Sequence, residues 1–206
     1  INARDIAEIV QAWTGVPTNS LIEDEGERLL RLEERLGDRV FGQRDALARV
    51  SRAVRRARLG IREIDRPQGV FLFMGPTGVG KTEVAKALAG EILGNENHLI
   101  QIDMSEYKEE HSVAKLIGSP PGYVGFGDSG RLVEAVRKRP YSIVLLDEVE
   151  KAHTSVFDVL MQIFDEGRLT DGQGRVTDFR HTLIILTSNL AHGYSANDEE
   201  IREVLT

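Results

Sequence analysis

The run Gly75-Pro76-Thr77-Gly78-Val79-Gly80-Lys81-Thr82 has the spacing G-x-x-x-x-G-K-S/T, whose residue types suit an oligophosphate. Glycines let a backbone curl until several N–H groups point inward at phosphate oxygens. A helix that begins where such a loop ends adds the positive end of its dipole. The Lys81 ammonium would neutralise β- and γ-phosphate charge, and the Thr82 hydroxyl would be a ligand of Mg²⁺. The chemistry implied is the binding of a nucleoside triphosphate, with ATP and Mg²⁺ as the expected bound groups. This reading needs a strand before the loop and a helix after it.

A second constellation is Ile143-Val144-Leu145-Leu146-Asp147-Glu148, an apolar run ending in two carboxylates. Asp147 suits the Mg²⁺ shell, and Glu148 suits the orientation and activation of an attacking water. Alone, such a pair is equally a solvated strand end; the phosphate loop upstream gives it meaning. A third polar position is Asn189, in Thr187-Ser188-Asn189 after another apolar run. Its amide could meet a terminal phosphate or the water, although taken alone it reads as an ordinary turn asparagine. The five histidines, His98, His111, His153, His181 and His192, have no paired ligand spacing and suggest no metal site. His153 reads as a structural residue.

These groups must be carried by regular elements. Short apolar runs at 70–74, 99–102, 143–146 and 183–186 have strand length and are separated by helical segments. Unbroken apolar strands alternating with helices predict a parallel sheet buried on both faces, an α/β fold. The helices between them show the 3.6-residue period: Ala85, Leu88, Ala89 and Ile92; Leu132, Val133 and Val136; Val156, Phe157, Leu160, Ile163 and Phe164. Asp171-Gly172 and Gly174 suggest a hairpin over 169–178.

Residues 1–66 read as an N-terminal helical segment and 67–206 as the core. In the former, Ile6, Ile9, Val10 and Trp13 share one helical face that ends at Gly15-Val16-Pro17. A second helix is expected to carry Leu29, Leu32 and Leu36 and to stop at Gly37. A third is expected over 44–59, burying Leu47, Val50, Val54 and Ala57.

The chain has 206 residues, 41% of them hydrophobic, enough to build a packed core. No apolar run approaches the ~20 residues of a membrane span. The absence of cysteine excludes disulfides and thiolate chemistry and fits a reducing cytoplasm. A net charge of −7 disfavours general attraction to nucleic acid. The start at Ile1-Asn2-Ala3-Arg4-Asp5 resembles no secretory signal and reads as an internal cut from a longer chain.

Together the motifs resemble the AAA+ ATPases, and within them the second ATPase module of the Clp-type unfoldases. The resemblance covers nearly the whole chain. It rests on Gly15-Val16-Pro17, Val40-Phe41-Gly42-Gln43, the phosphate loop, and Ile102-Asp103-Met104-Ser105-Glu106-Tyr107. It continues through Gly118-Ser119-Pro120-Pro121-Gly122-Tyr123-Val124-Gly125, Arg139-Pro140-Tyr141-Ser142 and Leu146-Asp147-Glu148-Val149-Glu150-Lys151-Ala152-His153. Gly167-Arg168-Leu169-Thr170-Asp171 and Thr187-Ser188-Asn189 complete it.

The resemblance implies an adenine pocket at Val40 and Phe41, and a γ-phosphate sensor at Asn189. It also implies a homo-hexameric ring in the full-length protein, with Gly122, Tyr123, Val124 and Gly125 as a pore loop gripping unfolded or aggregated polypeptide. Read from composition, that loop is an exposed turn bearing one aromatic ring. The family's arginine finger and small helical lid are expected beyond Thr206. Neither Arg175 nor Arg180 is taken as the finger. After Asn189 comes Leu190-Ala191-His192-Gly193-Tyr194 rather than the Ile-Gly-Phe or Ile-Gly-Leu of protease-linked members. That favours a ClpB-like disaggregase, with a chaperone partner, over a protease-feeding subunit. A nucleic-acid motor is the competing class, its best support being Arg49, Arg52, Arg55, Arg56 and Arg58 on one helix. Such runs are commonly solvated faces, and no nucleic-acid or membrane partner is expected. A binding-only module is disfavoured by the presence of Glu148.

Overall fold

The computed structural model describes residues 25–40, 42, 44–59, 65–119 and 130–189. The expected first helix, Phe41 and the loop 122–125 lie outside the described residues.

Three helices come first: α1 (Glu25–Leu30), α2 (Leu32–Arg39) and α3 (Arg44–Arg58). The core follows as β1 (Gly69–Met74), α4 (Lys81–Leu93), β2 (Leu99–Asp103), α5 (Val113–Ile117) and α6 (Arg131–Lys138). It is completed by β3 (Ile143–Asp147), α7 (Thr154–Glu166), a hairpin of β4 (Arg168–Thr170) and β5 (Val176–Asp178), and β6 (Leu183–Ser188). The four long strands form one parallel sheet in the order β1-β6-β3-β2. The hairpin is a separate antiparallel pair.

The apolar runs have no polar alternation because both faces of the sheet are covered. Ile143, Leu145, Leu183 and Ile185 point into a core shared with Leu36, Val50, Val54 and Leu88, from α2, α3 and α4. Their neighbours Val144, Leu146, Ile184 and Leu186 point the other way, into a core with Val133, Val136, Leu160 and Ile163 from α6 and α7. The result is a three-layer α/β fold. The N-terminal helices α2 and α3 are built into one of its layers. Among the described residues no helix is long and apolar enough to cross a membrane.

One expectation is corrected. The helix expected to hold Leu29, Leu32 and Leu36 and stop at Gly37 is two helices broken at Arg31, and the second runs through Gly37 to Arg39. Leu32 and Leu36 are buried, and the Val40 N–H still finds the Leu36 carbonyl at 2.9 Å. Packing of this stripe outweighs the ~1 kcal/mol that glycine costs a helix.

The parallel register brings all four strands to finish on one edge. Met74 pairs with Ser188, and Asp103 with Asp147. Gly75, Glu148 and Asn189 each follow directly after a strand. With β6 between β1 and β3, these three converge where the chain order of the strands reverses, the crevice in which open α/β sheets bind ligands.

Candidate functional site

The phosphate loop leaves β1 and enters α4 directly. Gly78 and Gly80 have φ of 86° and 96°, a region where an L side chain costs ~1–2 kcal/mol. Glycine therefore permits the curl that turns the backbone inward. Gly80 is the N-cap of α4 and supplies no side-chain acceptor, so the first N–H groups of this 13-residue helix remain for a ligand. Val40 lies beneath the loop, 5% exposed. Its Cγ1 is 4.0 Å from where a Cβ on Gly80 would stand. Val40 also borders a cleft of about 680 Å³ with Gly42, Arg44 and Leu47.

The side chains at the strand ends form one connected chain. Lys81 Nζ donates to the carbonyls of Gly75 (2.5 Å) and Pro76 (3.0 Å) and to Asn189 Oδ1 (2.8 Å). Asn189 Nδ2 donates to Glu148 Oε1 at 2.9 Å. Glu148 Oε2 accepts from Lys151 Nζ at 2.5 Å. The Asn189 N–H donates to Glu150 Oε1 at 3.2 Å. One asparagine amide thus joins the phosphate loop to the acid pair, residues 108 positions apart in the case of Lys81.

Asp147 is held from β6. The Thr187 hydroxyl donates to Asp147 Oδ1 and accepts from the Glu148 N–H at 3.0 Å. Gln101 Nε2 approaches the other Asp147 oxygen at 3.4 Å. Glu148 has φ 58° and ψ 51°, the one positive φ outside glycine among the described residues. This conformation costs ~1–2 kcal/mol and survives because Thr187 and the following turn hold it. Hydrogen bonds from Ser105 hold the Asp103 carboxyl below its ordinary pKa, with Lys151 and Lys108 contributing. The Glu148 carboxylate, through its hydrogen bond first, raises the pKa of Lys151.

The donor set fits a nucleoside triphosphate with a divalent cation: an open helix N-terminus and an ammonium for phosphates, and the Thr82 hydroxyl with the Asp147 carboxylate for a hard cation. Of the sequence-derived candidates, Lys81, Asp147, Glu148 and Asn189 meet around one crevice. Thr82 stands in the first turn of α4, and Gly75, Pro76, Thr77, Gly78, Val79 and Gly80 form the loop between β1 and that helix. Phe41 and 122–125 lie outside the described residues. His153 caps α7, its ring nitrogen accepting from the Ser155 N–H. Arg175 and Arg180 are engaged locally by Asp171 and Asp178.

Residues 66–204 match the family model of the AAA domain (Cdc48 subfamily). The chain belongs to the AAA+ family of Clp-type, ClpB-like ATPases. It is 58% identical over 200 residues to the Chaperone protein ClpB of Rhodopseudomonas palustris, covering 97% of this chain and 23% of that protein. It is 60% identical over 192 residues to the Chaperone protein ClpB of Mycobacterium bovis, covering 93% and 23%. Chaperone protein ClpB 1 of Synechocystis sp. is 57% identical over 204 residues, covering 97% and 23%. The chain therefore spans about a quarter of the length of these relatives.

Two residues of this AAA+ module lie inside the motifs, but their contacts with the acid pair are visible only in the structure. Thr187 was legible only as part of Thr187-Ser188-Asn189; its hold on both acidic residues depends on β6 lying beside β3. Lys151 stands three residues after Glu148, a spacing that would have suggested contact had the intervening turn been read as 3₁₀.

Proposed function

We propose that this module binds ATP with Mg²⁺ and hydrolyses it to drive protein unfolding and disaggregation in a ring of like subunits. The observation that carries the proposal is the Lys81–Asn189–Glu148 chain of contacts, which ties phosphate recognition to a candidate base. The 57–60% identity to chaperones supports protein as the substrate.

In this reading the loop N–H groups, the α4 N-terminus and Lys81 hold the phosphates, and Val40 with Phe41 contacts adenine. Thr82 and Asp147 would hold Mg²⁺, which when bound neutralises charge on the β- and γ-phosphates. Glu148 accepts a proton from the attacking water on its carboxylate. The water oxygen bonds to the γ-phosphorus as the bond to the bridging oxygen breaks, leaving ADP and phosphate. Asn189 orients Glu148 through its amide, touches Lys81 and senses the terminal phosphate, a role supported by its two contacts. Tyr123, in 122–125, grips extended polypeptide at the pore.

The test is steady-state ATP turnover of the full-length protein with no addition, with unfolded protein, and with single- or double-stranded DNA. Glu148→Gln should retain nucleotide binding and lose turnover by roughly 10²-fold or more. Stimulation by unfolded protein, lost on Tyr123→Ala, supports the reading. Stimulation by DNA alone, or unaltered turnover in Glu148→Gln, overturns it.

A further inference from the structure

The left-handed backbone at Glu148 opens a 3₁₀ turn, Val149–Lys151, closed by the Lys151 N–H on the Glu148 carbonyl at 3.0 Å. The turn folds the chain back so that the Lys151 ammonium meets the Glu148 carboxylate, Nζ to Oε2 at 2.5 Å. We propose that Lys151 is a positioning residue for ATP hydrolysis, its ammonium gripping Glu148 Oε2 while Asn189 holds Oε1, so that the carboxylate presents its remaining lone pairs to the attacking water.

The inference rests on the reading of Glu148 as the base and adds how that base is aimed. A carboxylate held at one oxygen can still rotate about its terminal bond. Contacts of 2.9 Å at Oε1 and 2.5 Å at Oε2, made from two different elements, block that rotation. Each oxygen has two acceptor positions, and one donor on each leaves capacity for a water. Asp103 at the end of β2 and Glu150 beside it add to the attraction that Glu148 exerts on the Lys151 ammonium. Glu148 and Lys151 are 28% and 42% exposed, and an ion pair this accessible ordinarily contributes little to stability. Its value must then lie in geometry, and the strained φ of Glu148 agrees, since such outliers persist where surrounding contacts over-determine them.

The experiment compares the parent, Lys151→Met, Lys151→Arg, Glu148→Gln and the Glu148→Gln/Lys151→Met double variant in the full-length protein. It measures kcat and KM for ATP and the affinity for a fluorescent nucleotide. Methionine keeps the length of the side chain and removes the charge. The expected result is a kcat roughly tenfold lower or more in Lys151→Met, as for a misaligned catalytic group, with KM and nucleotide affinity within about twofold of the parent. Arginine should restore most of the rate. The double variant should be no slower than Glu148→Gln, because both changes act through one carboxylate. Parental kcat in Lys151→Met beside an inactive Glu148→Gln overturns the proposal alone. So does a parallel loss of nucleotide affinity, a failure of arginine to rescue, or a further slowing in the double variant. Parental turnover in Glu148→Gln overturns the base assignment and the proposal with it.

Discussion

Asp171 should be worth more to stability than any exposed acid among the described residues, and Asp171→Asn measures how much. Its side chain is 1% exposed and begins the turn between β4 and β5. Oδ1 accepts the N–H groups of Gln173 (2.9 Å) and Arg175 (2.8 Å). Oδ2 accepts Arg175 Nε at 2.8 Å and Arg137 Nη2, from α6, at 3.2 Å. Burial works to raise its pKa, but the Arg175 N–H, the two guanidinium groups and the Gln173 N–H prevail and hold it at about 2 instead of 3.8. That difference corresponds to about 2 kcal/mol. Because the guanidinium groups are partly exposed, roughly 1–2 kcal/mol should be observable. Asparagine can keep the two backbone contacts but turns an NH₂ towards two cationic donors. The melting temperature should fall by roughly 3–6 °C.

The pH dependence tests the cause. A carboxyl whose pKa is depressed on folding contributes stability above its unfolded value, and that contribution fades as pH falls through the folded value. The gap between parent and Asp171→Asn in urea unfolding should be constant from pH 7 to about 5. It should shrink to about half at pH 3 and to roughly a sixth near pH 2, and vanish only below that. No gap at pH 7, or a gap unchanged between pH 7 and pH 3, would refute the assignment of this stability to the charge.

Two further outcomes follow from the site. Thr187→Val removes the hydroxyl that joins Asp147 to the Glu148 N–H and leaves that N–H without this acceptor, at a cost of about 1–3 kcal/mol. Urea unfolding should register that loss and ATP turnover should fall at least tenfold, whereas parental values in both would show the threonine to be incidental. Gly80→Ala meets no atom closer than 4.0 Å, so any penalty comes from its φ of 96°, about 1–2 kcal/mol. Nucleotide affinity, read by fluorescence titration, should weaken by roughly tenfold; unchanged binding would mean that the loop does not need this conformation.

The parts of this fold that were legible from sequence are those governed by local rules. Ile143-Val144-Leu145-Leu146 reads as a strand because both its faces are buried, and the phosphate loop reads from its glycines because few other residues allow its backbone. The hairpin reads from Asp171, whose side chain does close the turn. The break at Arg31 was hidden, because Leu29, Leu32 and Leu36 keep a helical period across it. Strand order was not legible at all: nothing in residues 183–188 says that β6 enters between β1 and β3. Yet that insertion makes the site. It sets Thr187 against Asp147 and carries Asn189 to a point where one amide reaches Lys81 on one side and Glu148 on the other. A polar residue after an edge strand would reach only one of these groups. Asn189, which alone reads as an ordinary turn residue, takes its chemical significance from the central position of the strand that carries it. Lys151 meets Glu148 because a three-residue turn follows that glutamate's left-handed backbone.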